Sequence, residues 1–152
     1  MNVQEYLKQK GVAFEVHQHR AVYTAQEVAA EEHVSGDRTA KAVVVQADGK
    51  FVMCVLPASY KLNMERVSAA LKAKKVRLAD EGELAKLFPD TEVGAEPPIG
   101  AMYDLPTLAD EHLGKSEQIV FQAGTHREAV RMKYTDWAKL ASPTVTDLAV
   151  HL

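Results

Sequence analysis

Short helical and strand-like patterns alternate along the chain, which has 152 residues. Apolar residues recur at helical spacing in several segments, some of which open on a capping residue, as Thr24 does with Glu27 three positions later. The predicted helices cover residues 3–10, Thr24 to about His33, Asn63 to Leu71, Asp80 to Pro89, and Thr135 to about Leu140.

Branched and aromatic residues in short apolar runs predict strands between these helices. The predicted strands are residues 14–19, Ala40–Gln46, Phe51–Leu56, Ala101–Tyr103, Gln118–Gln122 and Ala129–Tyr134. The Asp48-Gly49 pair is a strong hairpin signal, and we expect this hairpin to form the centre of the sheet. Because no strict βαβ repeat is present, the pattern favours an α+β fold around a curved mixed sheet over a doubly wound fold.

The composition is that of an ordinary globular protein, with 47% hydrophobic and 26% charged residues. We expect residues 1–152 to form a single domain. The polar start lacks the pattern of a secretory leader, and no apolar run approaches a membrane span, so a cytoplasmic location without a membrane partner is predicted. The one cysteine, Cys54, lies in an apolar run and is predicted to be a buried structural thiol.

The formal net charge of −3 gives no overall positive field that would draw the protein onto nucleic acid. No DNA partner is expected, and any contact with RNA must be local. The dense basic segment of the chain contains Lys72, Lys74, Lys75 and Arg77. This segment suits contact with phosphates, but it equally suits the solvated end of a helix.

Lys41 is the most unusual side chain in the sequence, because its predicted strand otherwise consists of small and branched apolar residues. The two-residue period of a strand places it on the same face as Val43 and Val45. If that face points inward, the ammonium is partly desolvated and requires an anion or strong acceptors, such as a substrate phosphate or a polarised ester. The alternative is a lysine that faces water at the edge of a sheet.

Two loops are further candidates for ligand contact. The segment from Gly94 to Gly100 combines two prolines with glycines, so its backbone is suited to act as a carbonyl or oxyanion clamp. Gly124-Thr125-His126 is predicted to be a turn that presents His126 rather than burying it. A plain surface turn and a surface histidine are the simpler interpretations of these two loops.

Other candidates for chemistry are weaker. His17 and His19 face one side of a predicted strand, but no third ligand follows at a recognisable spacing, so no zinc site is predicted. Ser59 lacks the elbow pattern of a nucleophilic serine, and no glycine-rich phosphate loop precedes a helix. We therefore predict no hydrolytic triad, no metal and no cofactor.

Several short motifs follow one another in a specific order between about His19 and Leu140. They are His19, Tyr23-Thr24 before a helix with Ala29, Thr39-Ala40-Lys41 opening a valine strand, Gly94 to Pro98 in G-x-x-x-P spacing with Gly100 after it, Asp110, and Ala123-Gly124-Thr125-His126. In this order they resemble the YbaK family, which includes free-standing deacylases and the editing domain of bacterial prolyl-tRNA synthetases.

The resemblance implies one domain with a barrel-like mixed sheet and surrounding helices, which hydrolyses misacylated tRNA without a metal. Lys41 falls on the family's activity-linked lysine and would anchor a phosphate or carbonyl. The loop from Gly94 to Pro98 would position the aminoacyl group through its backbone, and the free hydroxyl of the terminal ribose would assist the attacking water. The other substrate-binding positions implied by the resemblance are Tyr23, Thr24, Gly100, Gly124, Thr125 and His126.

The choice of substrate depends on two departures from the family pattern. Members that act on cysteinyl-tRNA tend to carry a hydroxyl residue after the lysine and a serine before the Ala-Gly turn, where this chain has Ala42 and Gln122. These departures argue against a cysteine specialist, and the Gly124-Thr125-His126 turn is similar to the branch that clears alanine or other small aliphatic residues, with His126 lining the pocket. The resemblance therefore favours trans-editing of an alanine-like residue on tRNA(Pro), with prolyl-tRNA synthetase as a candidate partner. Two alternatives stay open: a tRNA- or synthetase-binding module without turnover, and a hydrolase for an unrelated small acyl ester.

Overall fold

Ten strands and five α-helices make up the computed structural model, which describes residues 1–152. The helices are α1 Val3–Gln9, α2 Ala25–Glu31, α3 Met64–Leu71, α4 Glu81–Leu87 and α5 Tyr134–Ala141. The strands are β1 Phe14–Gln18, β2 Ala40–Ala47, β3 Lys50–Pro57, β4 Tyr60–Leu62, β5 Val76–Leu78, β6 Thr107–Asp110, β7 Gln118–Gln122, β8 Glu128–Lys133, β9 Thr144–Thr146 and β10 Ala149–His151. None of the helices is long and apolar enough to cross a membrane.

The strands form a five-stranded sheet in the order β5-β2-β3-β6-β9, a three-stranded sheet β1-β8-β7 and the pair β10-β4. The β3-β6 and β6-β9 pairs are parallel and the others are antiparallel. One isolated bridge, between Thr39 and Val120, joins the two larger sheets. A mixed sheet fold with surrounding helices is thus confirmed, but the barrel does not close, because β1, β5 and β9 each have a strand partner on one side only.

The predicted central hairpin is confirmed. Strands β2 and β3 pair from Ala40 with Pro57 to Ala47 with Lys50. Asp48 and Gly49 form the connecting turn with φ of 48° and 84°, as a turn that matches the right-handed twist of the strands requires. β3 then lies at the centre of the five-stranded sheet.

The main core lies between the two larger sheets, and the alternation of β3 shows how it is built. Met53 and Val55 point into this core, whereas Val52 and Cys54 join Val67 of α3 on the opposite face. All five are almost completely buried, and each large apolar side chain that leaves water contributes about 1.5–3 kcal/mol. Cys54 is therefore a buried thiol, and burial raises its pKa to about 12.

One predicted strand is wrong. Residues 100–103 form a 3-10 turn, closed by hydrogen bonds from the Met102 N–H to the Ile99 carbonyl and from the Leu105 N–H to the Gly100 carbonyl. Asp104 then adopts a left-handed conformation with φ of 55°, which a continuing strand does not permit. The strand of this region starts at Thr107 instead. The sequence also did not predict β4, β5, β6, β9 and β10, which have three or four residues each.

Candidate active site

A cleft of about 160 Å³ opens beside the first half of β2. Strand β5 pairs only with residues 45–47 of β2. The first residues of β2 therefore have no partner strand on this side. β7 and the loop before residue 97 approach this edge instead. The cleft is lined by Tyr23, Ala25, Val28, Thr39, Ala40, Lys41, Ala42, Gly94, Glu96 and Gln122.

Lys41 lies half-buried in this cleft. Its Nζ is 3.5 Å from the carbonyl of Ala58, a distance at which a hydrogen bond is weak. It takes part in no ion pair, and desolvation lowers its pKa. Lys41 thus combines features of both interpretations of the sequence: it stands on an unpaired strand edge, and its ammonium is partly removed from water without an anionic partner.

The loop of residues 92–96 is fixed to the turn between β7 and β8. The Glu92 N–H donates to the Gly124 carbonyl at 2.8 Å, and the Gly124 N–H donates to the Ala95 carbonyl at 2.9 Å. The Glu92 carboxylate accepts the His126 N–H at 2.8 Å. Gly94 lies in the middle of this loop with φ of 92°, a backbone conformation that residues with a side chain rarely adopt. The backbone at Gly94 therefore faces the cleft in a preformed shape.

His126 is buried behind this loop, with 9% of its surface exposed, so the expectation of a histidine presented to solvent is wrong. Its Nε2 lies 3.1 Å from the Val93 carbonyl and its Nδ1 lies 3.2 Å from Gln122 Oε1. On its other side, the ring of Tyr23 lies at a centroid distance of 4.7 Å. These contacts draw the imidazole inward, where it supports both the loop and the exposed Tyr23 at the rim of the cleft.

Glu96 and Gln122 line the cleft, although neither was predicted as a site residue. Glu96 is only 8% exposed, and its Oε1 accepts the Gly94 N–H at 2.9 Å. The amide nitrogen of Gln122 lies 3.5 Å from the Gly94 carbonyl. One feature of the sequence could have indicated Glu96: it is the one charged residue in the G-x-x-x-P motif, where the other residues are small or cyclic.

Three predicted substrate-binding residues have structural roles outside the cleft wall. The Thr24 hydroxyl accepts the Glu27 N–H in a capping box that starts α2. The Pro98 carbonyl accepts the indole N–H of the buried Trp137 at 2.9 Å. Gly100 packs so tightly that an added Cβ would lie 2.2 Å from the hydroxyl of Thr107.

Gly124 and Thr125 line a separate cleft of about 170 Å³, near Asn2 and Tyr103. The structure thus brings Tyr23, Lys41 and Gly94 together in one cleft and places His126 behind it.

One group of side chains has the spacing of a metal site. Ligand atoms of Asp110, His112 and Asp147 lie within 4.8 Å of one another. The two Asp110 oxygens accept the N–H groups of Leu148 and His112, and the Asp147 carboxylate accepts from Arg66. These residues do not line the Lys41 cleft.

Comparison with known proteins identifies the fold and the family. The sequence pattern of the aminoacyl-tRNA editing domain matches residues 19–140. The chain belongs to this family. The multifunctional Ser/Thr-tRNA deacylase ProXp-y of Escherichia coli strain K12 is 26% identical to this chain. The match covers 93% of this chain and 87% of the E. coli protein. A crystal structure described as a candidate trans-editing enzyme for prolyl tRNA synthetase superposes with a TM-score of 0.88 at 23% identity, over 97% of this chain and 94% of that one.

A proline–tRNA ligase of Dehalococcoides mccartyi is 30% identical over 76% of the chain. The chain spans about a fifth of the length of this relative, since 20% of the ligase is matched. The predicted resemblance to the YbaK-like editing family is confirmed by these matches.

Proposed function

We propose that the protein is a trans-editing aminoacyl-tRNA deacylase, which hydrolyses the ester bond between a small amino acid and tRNA. The observation that carries this proposal is the half-buried Lys41 ammonium, which has no anionic partner and faces a preformed backbone loop at Gly94. A group that carries negative charge completes such a cleft. The end of a charged tRNA supplies phosphates, which carry negative charge, and an ester carbonyl, whose oxygen gains negative charge as water attacks.

The reaction requires modest assistance, because an aminoacyl ester is already activated. Lys41 holds the phosphate next to the ester, or the carbonyl oxygen as negative charge develops on it, while the Gly94 backbone and Tyr23 orient the aminoacyl end. Orientation and electrostatic stabilisation each supply several kcal/mol in an ordered site. The free ribose hydroxyl assists the attacking water, and no metal is required in this scheme.

The remaining proposed residues act by positioning this cleft. His126 and Gly124 brace the loop of residues 92–96, and Thr24 starts the helix whose Ala25 and Val28 line the opposite wall. Pro98 and Gly100 anchor the chain in the core just after this loop.

Alanine on tRNA(Pro) is the proposed substrate. A cleft of about 160 Å³ is small beside the roughly 300–1,000 Å³ of pockets for drug-sized ligands, and Ala42 offers no hydroxyl to a thiol. Serine is the second candidate, since the Gln122 amide lies in the cleft and can bind a hydroxyl group, and since the E. coli relative is named as a Ser/Thr-tRNA deacylase. Prolyl-tRNA synthetase is the proposed partner and the cytoplasm the proposed location, because the synthetase makes the misacylated tRNA there.

A panel of mischarged tRNAs tests the proposal. We expect alanyl-tRNA(Pro) to be hydrolysed fastest, then seryl-, threonyl- and cysteinyl-tRNA, with equal rates in the presence and absence of EDTA. The rates should fall with added salt, because phosphate contacts weaken. Protection of all four esters would identify a binding module instead. Hydrolysis of a simple alanyl ester at the same rate as alanyl-tRNA would identify a general esterase.

A further inference from the structure

Glu96 is a buried carboxylate that the proposed mechanism leaves without a role. It is only 8% exposed, yet it lines the same cleft as Lys41. Its Oε2 is not among the fully buried polar atoms without a partner, so this oxygen stays accessible from the cleft, where a cation can replace water.

The protein satisfies this carboxylate only in part. Oε1 accepts the Gly94 N–H, whereas Oε2 accepts no hydrogen bond from the protein. Glu96 is in no ion pair, so it lies more than 4.0 Å from the Lys41 ammonium. The cleft therefore holds one positive and one negative group that do not neutralise each other directly.

The aminoacyl end of tRNA carries matching charges. Its α-ammonium group is one carbon away from the ester carbonyl, and the ester is linked to a phosphorylated ribose. With Lys41 on the phosphate or carbonyl, a cation beside Glu96 would orient the ester for attack. Amide and hydroxyl groups, such as those of Gln122 and Thr39, make up the rest of the polar wall and carry no charge.

We propose that Glu96 binds the α-ammonium group of the aminoacyl ester, so that the protein selects esters with a free amino group. This inference rests on the proposed function. It predicts that peptidyl-tRNA and other N-acylated tRNAs are spared, because acylation removes the charge that Glu96 recognises.

Alanyl-tRNA(Pro) and lactyl-tRNA(Pro) form a suitable substrate pair, because the second replaces the ammonium by a hydroxyl group of similar size. The two esters differ in intrinsic reactivity, so each catalysed rate is divided by the uncatalysed rate. A hydrogen bond between charged groups contributes enough for about a 10- to 100-fold preference for alanyl-tRNA by the wild type. Glu96→Gln keeps an acceptor for the Gly94 N–H and should reduce this preference to less than about threefold.

Glu65→Gln is the matched control, since it changes the net charge equally at an exposed position. It should retain the wild-type preference. A wild-type preference in a folded Glu96→Gln variant would overturn the inference while leaving the proposed function intact.

Failure of the wild type to hydrolyse either ester would overturn the proposed function. In that case affinities for hydrolysis-resistant, amide-linked alanyl- and lactyl-adenosine decide the inference separately, and equal affinities would refute it.

Discussion

Lys41→Met tests whether the ammonium group, rather than the volume of the side chain, carries the activity. Methionine fills similar space along the stem of the lysine but has no charge and no donor. Removing one preorganised donor from a site where negative charge develops typically lowers the rate about 10²- to 10³-fold, or about 2.7–4 kcal/mol. We expect a loss of this size in the deacylation rate.

The same substitution should hardly change stability. Lys41 contributes one long contact, 3.5 Å from the Ala58 carbonyl, and no ion pair. Its lowered pKa shows that burial disfavours the charged form, so the apolar side chain removes a cost as well as a contact. The free energy of unfolding should therefore stay within about 0.5 kcal/mol of the wild type, which corresponds to a Tm change of about 1–2 °C.

The assay follows the decay of alanyl-tRNA(Pro) with enzyme in excess, alongside thermal unfolding of each variant. Lys61→Met is the matched control, because Lys61 is an exposed lysine on another strand, β4. It should keep both the rate and the Tm. A wild-type rate in Lys41→Met would refute the proposed role of the ammonium, and a fall in Tm above about 5 °C would show that Lys41 acts on the fold instead.

Three further predictions follow from burial and packing. Because burial lowers the pKa of Lys41, activity corrected for uncatalysed hydrolysis should decline at a lower pH than for an ordinary lysine, and Lys41→Arg should lack this decline. The unfolded chain binds the Lys41 proton more tightly than the folded protein does. The free energy of unfolding should therefore rise with pH between the folded and unfolded pKa values of Lys41. Gly100→Ala places a Cβ 2.2 Å from the Thr107 hydroxyl and should lower the free energy of unfolding by about 1–3 kcal/mol in urea titration. The control Gly82→Ala in helix α4 should raise the free energy of unfolding by up to about 1 kcal/mol. Equal effects of the two substitutions would contradict the packing argument. The thiol of Cys54, with its pKa raised to about 12, should react with iodoacetamide only after unfolding, and rapid labelling of the native protein would show that it is accessible.

Local signals predicted much of the fold. The Asp48-Gly49 turn and the capping box at Thr24 are each specified by residues only a few positions apart, and both are present. β6 was missed because its pairing depends on parallel partners distant in the chain, β3 and β9. Such pairing leaves no short-range pattern.

The sequence also predicted part of the candidate cleft. Lys41 stood out because its charge conflicts with its strand, and Gly94 because a loop with two prolines is stiff. The inward position of Glu96 depends on how that loop is anchored to residues 122–126, and no spacing in the sequence reports it. Thr24 and Gly100 were assigned to the substrate through resemblance; the structure shows them in a capping box and a tight packing contact, and their contact with substrate stays a prediction.

The Thr39–Val120 bridge has a consequence for the width of the Lys41 cleft. It is the one backbone ladder contact between the two larger sheets, and its Thr39 precedes Lys41 by two residues and lines the same cleft. The main core also packs between these two sheets, so the bridge and the core together hold the sheets at one spacing beside the cleft. A ligand must therefore fit the width that the bridge already sets.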